Sequence, residues 1–222
     1  MKACLSAIAA LLIATVLMGC GSSSEKVSTS SLAPRLLPPS SAPGFGLQRT
    51  LNWSDPVNLV GEGLSLPQVT HPSTAVKEFK EAHLRGGAGE ILVRGSGLEE
   101  TAVQIGVAKF DSEADANKVR TWLHRQDLTQ PCFSQCIFAP APATIPGIPN
   151  LSMVVQSSHV PAPPPPPSGA PRRAIVAAPP ANYFAEFTIG PYLYWAVLHA
   201  DSRAQPQFEA GVKAYYQHAR GF

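Results

Sequence analysis

Charge is what this chain has least of. Only 14% of its 222 residues are charged, and 17 Lys and Arg against 15 Asp and Glu leave a formal net charge of +2. A nucleic-acid partner needs a basic stripe that displaces counterions from phosphates, so the near-neutral balance excludes that class of function. Catalytic signatures are missing as well, with neither a Gly-x-Ser-x-Gly elbow nor a His-Glu-x-x-His helix in the sequence. Cysteine is limited to Cys4, Cys20, Cys132 and Cys136. What is plentiful is apolar surface. Hydrophobic residues reach 45%, enough for a packed core, while 23 prolines and 17 glycines call for long irregular segments. The length suits one domain and a tether.

The N-terminus has the order of an export signal. Lys2 precedes an apolar stretch at 3–17, interrupted by Ser6 and Thr15 and too short to serve as a permanent membrane span. It ends in Leu17-Met18-Gly19-Cys20, followed by Gly21 and three serines. This segment resembles the lipobox of bacterial lipoproteins, in which a peptidase cuts just before a cysteine whose thiol already carries a diacylglyceryl group. The resemblance implies a signal peptide at 1–19, lipidation at Cys20 and a cell-membrane location facing the extracytoplasmic side. Two or more acyl chains anchor stably, since each buried methylene contributes about 0.8 kcal/mol and one chain alone is marginal. From there to Pro43 the chain is rich in Ser, Pro and small residues, with Leu36-Leu37 as its apolar pair, and reads as a flexible tether over 20–43.

Residues 44–222 read as a single α+β domain. Val76, Phe79 and His83 fall at helical spacing between Pro72 and the glycines from Gly86, whose Gly-Gly-Ala-Gly run reads as a turn. Strands are predicted at 90–95 and 102–110, joined around Ser96-Gly97. A helix follows, capped by Asp111 or Ser112, with Ala116, Val119, Trp122 and Leu123 on one face. The same order returns later, with strands at 182–189 and 192–200 around Gly190-Pro191 and a helix with Phe208, Val212, Tyr215 and Ala219 on one face. Together with a strand at 151–156, these suggest one antiparallel sheet with helices packed on one face, built from two strand-strand-helix units. The proline run at 161–171 is a polyproline-like loop.

Chemistry-bearing clusters are few. In an oxidising exterior compartment Cys132 and Cys136 pair as a disulfide, which closes a short loop and contributes about 2 kcal/mol. Zinc would need two further ligands, and His124 and His159 lack ligand spacing, so no metal or other cofactor is expected. Asp111, Glu113, Asp115 and Asn117 imitate half of a calcium loop, but Ala116 stands where its glycine belongs. His199, Asp201 and Ser202 are the local candidates for a hydrolase. Aromatics concentrate on the last hairpin, and alternation sends them to both sides of the sheet. Tyr183, Phe184, Tyr192, Tyr194 and Trp195 therefore offer a possible binding face. The reading that follows is a membrane-anchored, non-enzymatic domain for a partner protein or an apolar envelope ligand. Its rivals are an extracytoplasmic hydrolase-like enzyme and a scaffold without a ligand.

Overall fold

A computed structural model describes residues 27–42, 44–61, 71–95, 101–129, 138–158 and 180–222. Cys20, Cys132, Cys136 and the proline run at 161–171 lie outside them. Among the described residues the strands are β1 (Gly46–Trp53), β2 (Gly86–Arg94), β3 (Thr101–Lys109), β4 (Phe138–Ala143), β5 (Ser152–Ser158), β6 (Pro180–Ile189) and β7 (Tyr192–Asp201). They form one open antiparallel sheet in the order β1-β2-β3-β7-β6-β5-β4. Helices α1 (Pro56–Gly61), α2 (Pro72–Glu81), α3 (Glu113–Thr129) and α4 (Gln205–Ala219) pack against it. The α+β class and the single antiparallel sheet are as the periodicity predicts.

Local chemistry explains the elements. Gly190 has φ +54°, the left-handed value that a two-residue hairpin turn requires and glycine supplies without strain, so Ile189 pairs with Tyr192. Ser112 caps α3: its hydroxyl accepts from the Asp115 amide at 3.1 Å and donates to the Asp115 carboxylate at 2.7 Å. Asp111, the alternative cap, instead forms a bidentate pair with Arg85, which holds its carboxyl below the usual range. His83 does not join the buried face of α2. It follows the helix with φ +53°, and Ala75, Phe79 and Ala82 make the contact instead.

The glycines from Gly86 are not a turn but the first residues of β2. A Cβ at Gly87 would lie 2.9 Å from the Trp53 ring, and one at Gly89 only 2.6 Å from it. On β3, a Cβ at Gly106 would lie 2.1 Å from Trp195. Two buried indoles, 5.7 Å apart between centroids, thus lie directly on backbone, which is why these strands carry glycine in their interior. β4 is an edge strand with Pro140 and Pro142 two residues apart. Both missing N–H groups fall on one side of the strand, so pairing with β5 survives and the free edge loses donors that would attract another chain.

Helices cover both faces, which corrects the one-face expectation. Along β7, Leu193, Trp195 and Val197 join α2 and α3 residues such as Phe79, Val119 and Trp122. The alternate residues Tyr194, Ala196 and Leu198 join Phe208, Val212 and Tyr215 of α4. The order strand-strand-helix does recur, but not as symmetric halves. A two-fold axis relating antiparallel β3 and β7 would keep α3 and α4 on one face, whereas they occupy opposite ones.

The tether expectation also changes over residues 27–42. Three short 3-10 turns, Thr29–Ser31, Ala33–Arg35 and Pro39–Ser41, carry Leu32, Leu36 and Leu37 into the core on the α4 side, each at most 7% exposed. Burial of the three leucines contributes roughly 1.5–3 kcal/mol each toward holding the segment on the domain. Arg35 fastens it: its guanidinium carbon lies 3.9 Å from the Tyr192 ring centroid, and Nη1 donates to the Tyr194 hydroxyl at 3.2 Å. His218 Nε2–H donates to the Pro34 carbonyl at 2.9 Å.

Candidate functional site

The buried face predicted for α4 is the one observed, with Phe208, Val212, Tyr215 and Ala219 all in the core. The neighbouring stripe of that helix, Gln207, Ala210, Gly211 and Ala214, is exposed and three of its four residues are small. Between α4, the sheet and Ser41, Ala42 and Phe45 lies a cavity of about 440 Å³. This falls toward the lower end of the roughly 300–1,000 Å³ of small-ligand sites. Its buried lining is apolar, with Leu92, Ile105, Leu198, Val212 and Tyr215. The Tyr215 hydroxyl is already used, donating to the Gly106 carbonyl at 2.9 Å. Polar side chains belong to the exposed lining: Ser41, Arg94 and Gln207, with half-buried Thr101 beside them. Such a gradient, greasy inside and polar at the rim, favours a ligand with an apolar body.

Arg94 is the cation of that rim. Its guanidinium carbon lies 5.0 Å from the Phe45 ring centroid, and among the described residues no carboxylate pairs with it. Glu90 shares its face of β2 but does not line the cavity, and burial raises its carboxyl above the usual range.

The aromatic residues offered as a binding face are core. Tyr183, Phe184, Tyr194 and Trp195 are fully buried, and Tyr192 is half-buried beneath Arg35. Alternation does divide them between two faces, but each face has its own cover. Tyr183 packs 5.4 Å from Phe208, and Tyr194 stacks on Phe187 at 5.0 Å with Tyr215 edge-on at 5.6 Å.

His199, Asp201 and Ser202 are not brought together for catalysis. The His199 ring bonds Asn182 Oδ1 at 2.7 Å, while Asp201 accepts from the Arg203 amide at 2.8 Å and pairs with its guanidinium. The calcium-like run disperses too: Asp111 turns to Arg85, Asp115 to Ser112, and Asn117 accepts from Thr188 at 3.0 Å. Among the described residues no three His, Cys, Asp or Glu side chains are grouped to hold a metal.

A second polar feature, unforeseen in the sequence, lies under α3. Asp127 and Glu186 are both fully buried, and among the described residues no group donates to their carboxyl oxygens. With no donor to stabilise a charge, burial favours the neutral form of both. Burial is the main cause that raises both, Glu186 to about 7 and Asp127 well above its ordinary value, with each carboxyl also felt by the other. Arg120 opposes the rise at Glu186, and its own pKa is lowered by the same burial. The single sequence clue is an acid placed between Ala185 and Phe187 in a strand with no other charged residue.

No family model matches the chain, and no curated protein matches it. Among solved structures it is similar to the extracellular domain of PknH from Mycobacterium tuberculosis, with a TM-score of 0.52, 12% identity, and 88% of this chain and 98% of that one covered. At that identity the likeness is one of fold.

Proposed function

We propose that this chain is a lipid-anchored extracytoplasmic binding protein, non-enzymatic, that holds an apolar envelope ligand between its sheet and α4. The observation that carries the reading is the cavity of about 440 Å³ between the sheet and α4, whose buried lining is apolar. The lipobox-like residues ending at Cys20 support the anchor. The fold likeness to an extracellular domain supports the placement, and no described helix is long and apolar enough to cross a membrane. Because packing on the domain begins by Val27, six residues separate it from Cys20. They span at most about 25 Å, so the domain works close to the headgroups rather than far out on a spacer.

Native and denaturing mass spectrometry of protein extracted from its own membrane tests both parts, beside a Cys20→Ala form. The expected result is covalent acyl mass on the wild type alone and a non-covalent apolar adduct on both. Absence of acyl mass from the wild type refutes the anchor. Absence of any adduct from either form, with the cavity left empty, counts against the ligand.

A further inference from the structure

Gly211 stands in the interior of α4, where glycine is less stable than alanine because its backbone loses more freedom. Packing does not require it there: a Cβ built at Gly211 meets nothing within 4 Å, and its φ is not left-handed. This contrasts with Gly87, Gly89 and Gly106, each of which lies under an indole. What the missing side chain does is keep the wall of the cavity low between Gln207 and Ala214. The cavity therefore has a wall that a Cβ would enter without contact.

The polarity of the lining is graded. Ile105, Val212 and Tyr215 are buried and apolar in contact, whereas Arg94 is exposed and without a carboxylate partner among the described residues. We infer that the site takes an amphiphile with one acyl chain and an anionic headgroup, its chain along Leu92, Ile105 and Val212 and its headgroup on the Arg94 guanidinium. A carboxylate or a phosphate presents the acceptor oxygens that a guanidinium recognises, and the cavity volume suits one chain rather than a pair. The inference rests on the binding function proposed above and adds the class of ligand.

The full chain, extracted from its membrane and stripped of non-covalent lipid, is titrated with palmitate, palmitoyl lysophosphatidate and hexadecanol, with bound molecules counted by native mass spectrometry. One molecule of either anion is expected per chain, with hexadecanol about tenfold weaker, the scale of one charge-assisted contact. The preferred anion identifies the source as a carboxylate or a phosphate. Arg94→Gln is expected to bring the anions down to the affinity of hexadecanol and leave hexadecanol unchanged. Gly211→Leu should abolish binding of all three while the melting temperature holds or rises, and Gly211→Ala should bind as the wild type does. If hexadecanol equals palmitate, or Arg94→Gln changes nothing, the anionic headgroup is wrong although the cavity still binds. If none of the probes binds to the wild type, and Gly211→Leu leaves the co-purifying material unaltered, the binding function itself falls.

Discussion

Replacing Glu186 by Gln should flatten the pH dependence of stability in a direction opposite to that of ordinary acid unfolding. In the folded protein the Glu186 carboxyl is pushed up to about 7, mainly by burial, from a usual value of 4.5. Between those two values the folded state keeps a proton that the unfolded state has lost, so stability is full below pH 4.5 and falls as pH rises toward 7. An interval of about 2.5 units at 1.36 kcal/mol each corresponds to about 3 kcal/mol lost across that range. Glutamine keeps the shape and does not titrate. The other groups near the pair are Arg120 and His124 on α3 and Ser152 and Gln156 on β5. Gln156 donates to the Asp127 carbonyl at 2.9 Å, and Arg120 donates to Ser152. His124 acts in the other sense, since burial and Arg120 lower its pKa and so stability is lost as pH falls. The clean quantity is therefore the difference between wild type and Glu186→Gln, taken from urea unfolding midpoints at half-unit steps from pH 4.5 to 7.5. The variant should gain on the wild type by about 3 kcal/mol from the acid to the neutral end. A difference that is flat, or that grows toward acid, would show that burial does not hold Glu186 protonated and that the reasoning is wrong.

Two further substitutions test how the fold is closed. Gly106→Ala places a Cβ 2.1 Å from the fully buried Trp195 ring, which has no room to move. A loss of about 3 kcal/mol in chemical denaturation is expected, and a loss below 1 kcal/mol would mean the indole does not lie on the strand. Arg35→Ala removes the cation over Tyr192 and the bond to the Tyr194 hydroxyl. It should cost about 1–2 kcal/mol and open residues 27–42 to limited proteolysis ahead of the sheet, whereas unchanged cleavage would show that the leucines alone hold the segment.

Much of the architecture was legible because it is periodic. The alternation Val103, Ile105, Val107 and the helical spacing of Phe208, Val212, Tyr215 and Ala219 identify β3 and α4, and Ser112 marks the start of α3, since each depends only on neighbours a few residues away. β4 was not legible because Pro140 and Pro142 argue against a strand until its position at an edge is known. The run from Gly86 resembled a turn because the indole of Trp53, more than thirty residues earlier, supplies what the glycines lack. The aromatic hairpin could be divided into two faces but not assigned a cover for each. Nothing local in the chain sends α3 to one side of the sheet and α4 to the other.

The candidate site follows the same division. By itself the sequence determined β2, β3, β5, β6 and β7 and the longer amphipathic helices, because these are written in short-range order. Only the tertiary structure decided that Gly211 borders a cavity, that Arg94 stands at its rim, and that Asp127 and Glu186 meet in the core. Each of these joins residues far apart in the chain, and burial and proximity between such residues are properties of the packed arrangement rather than of any segment within it.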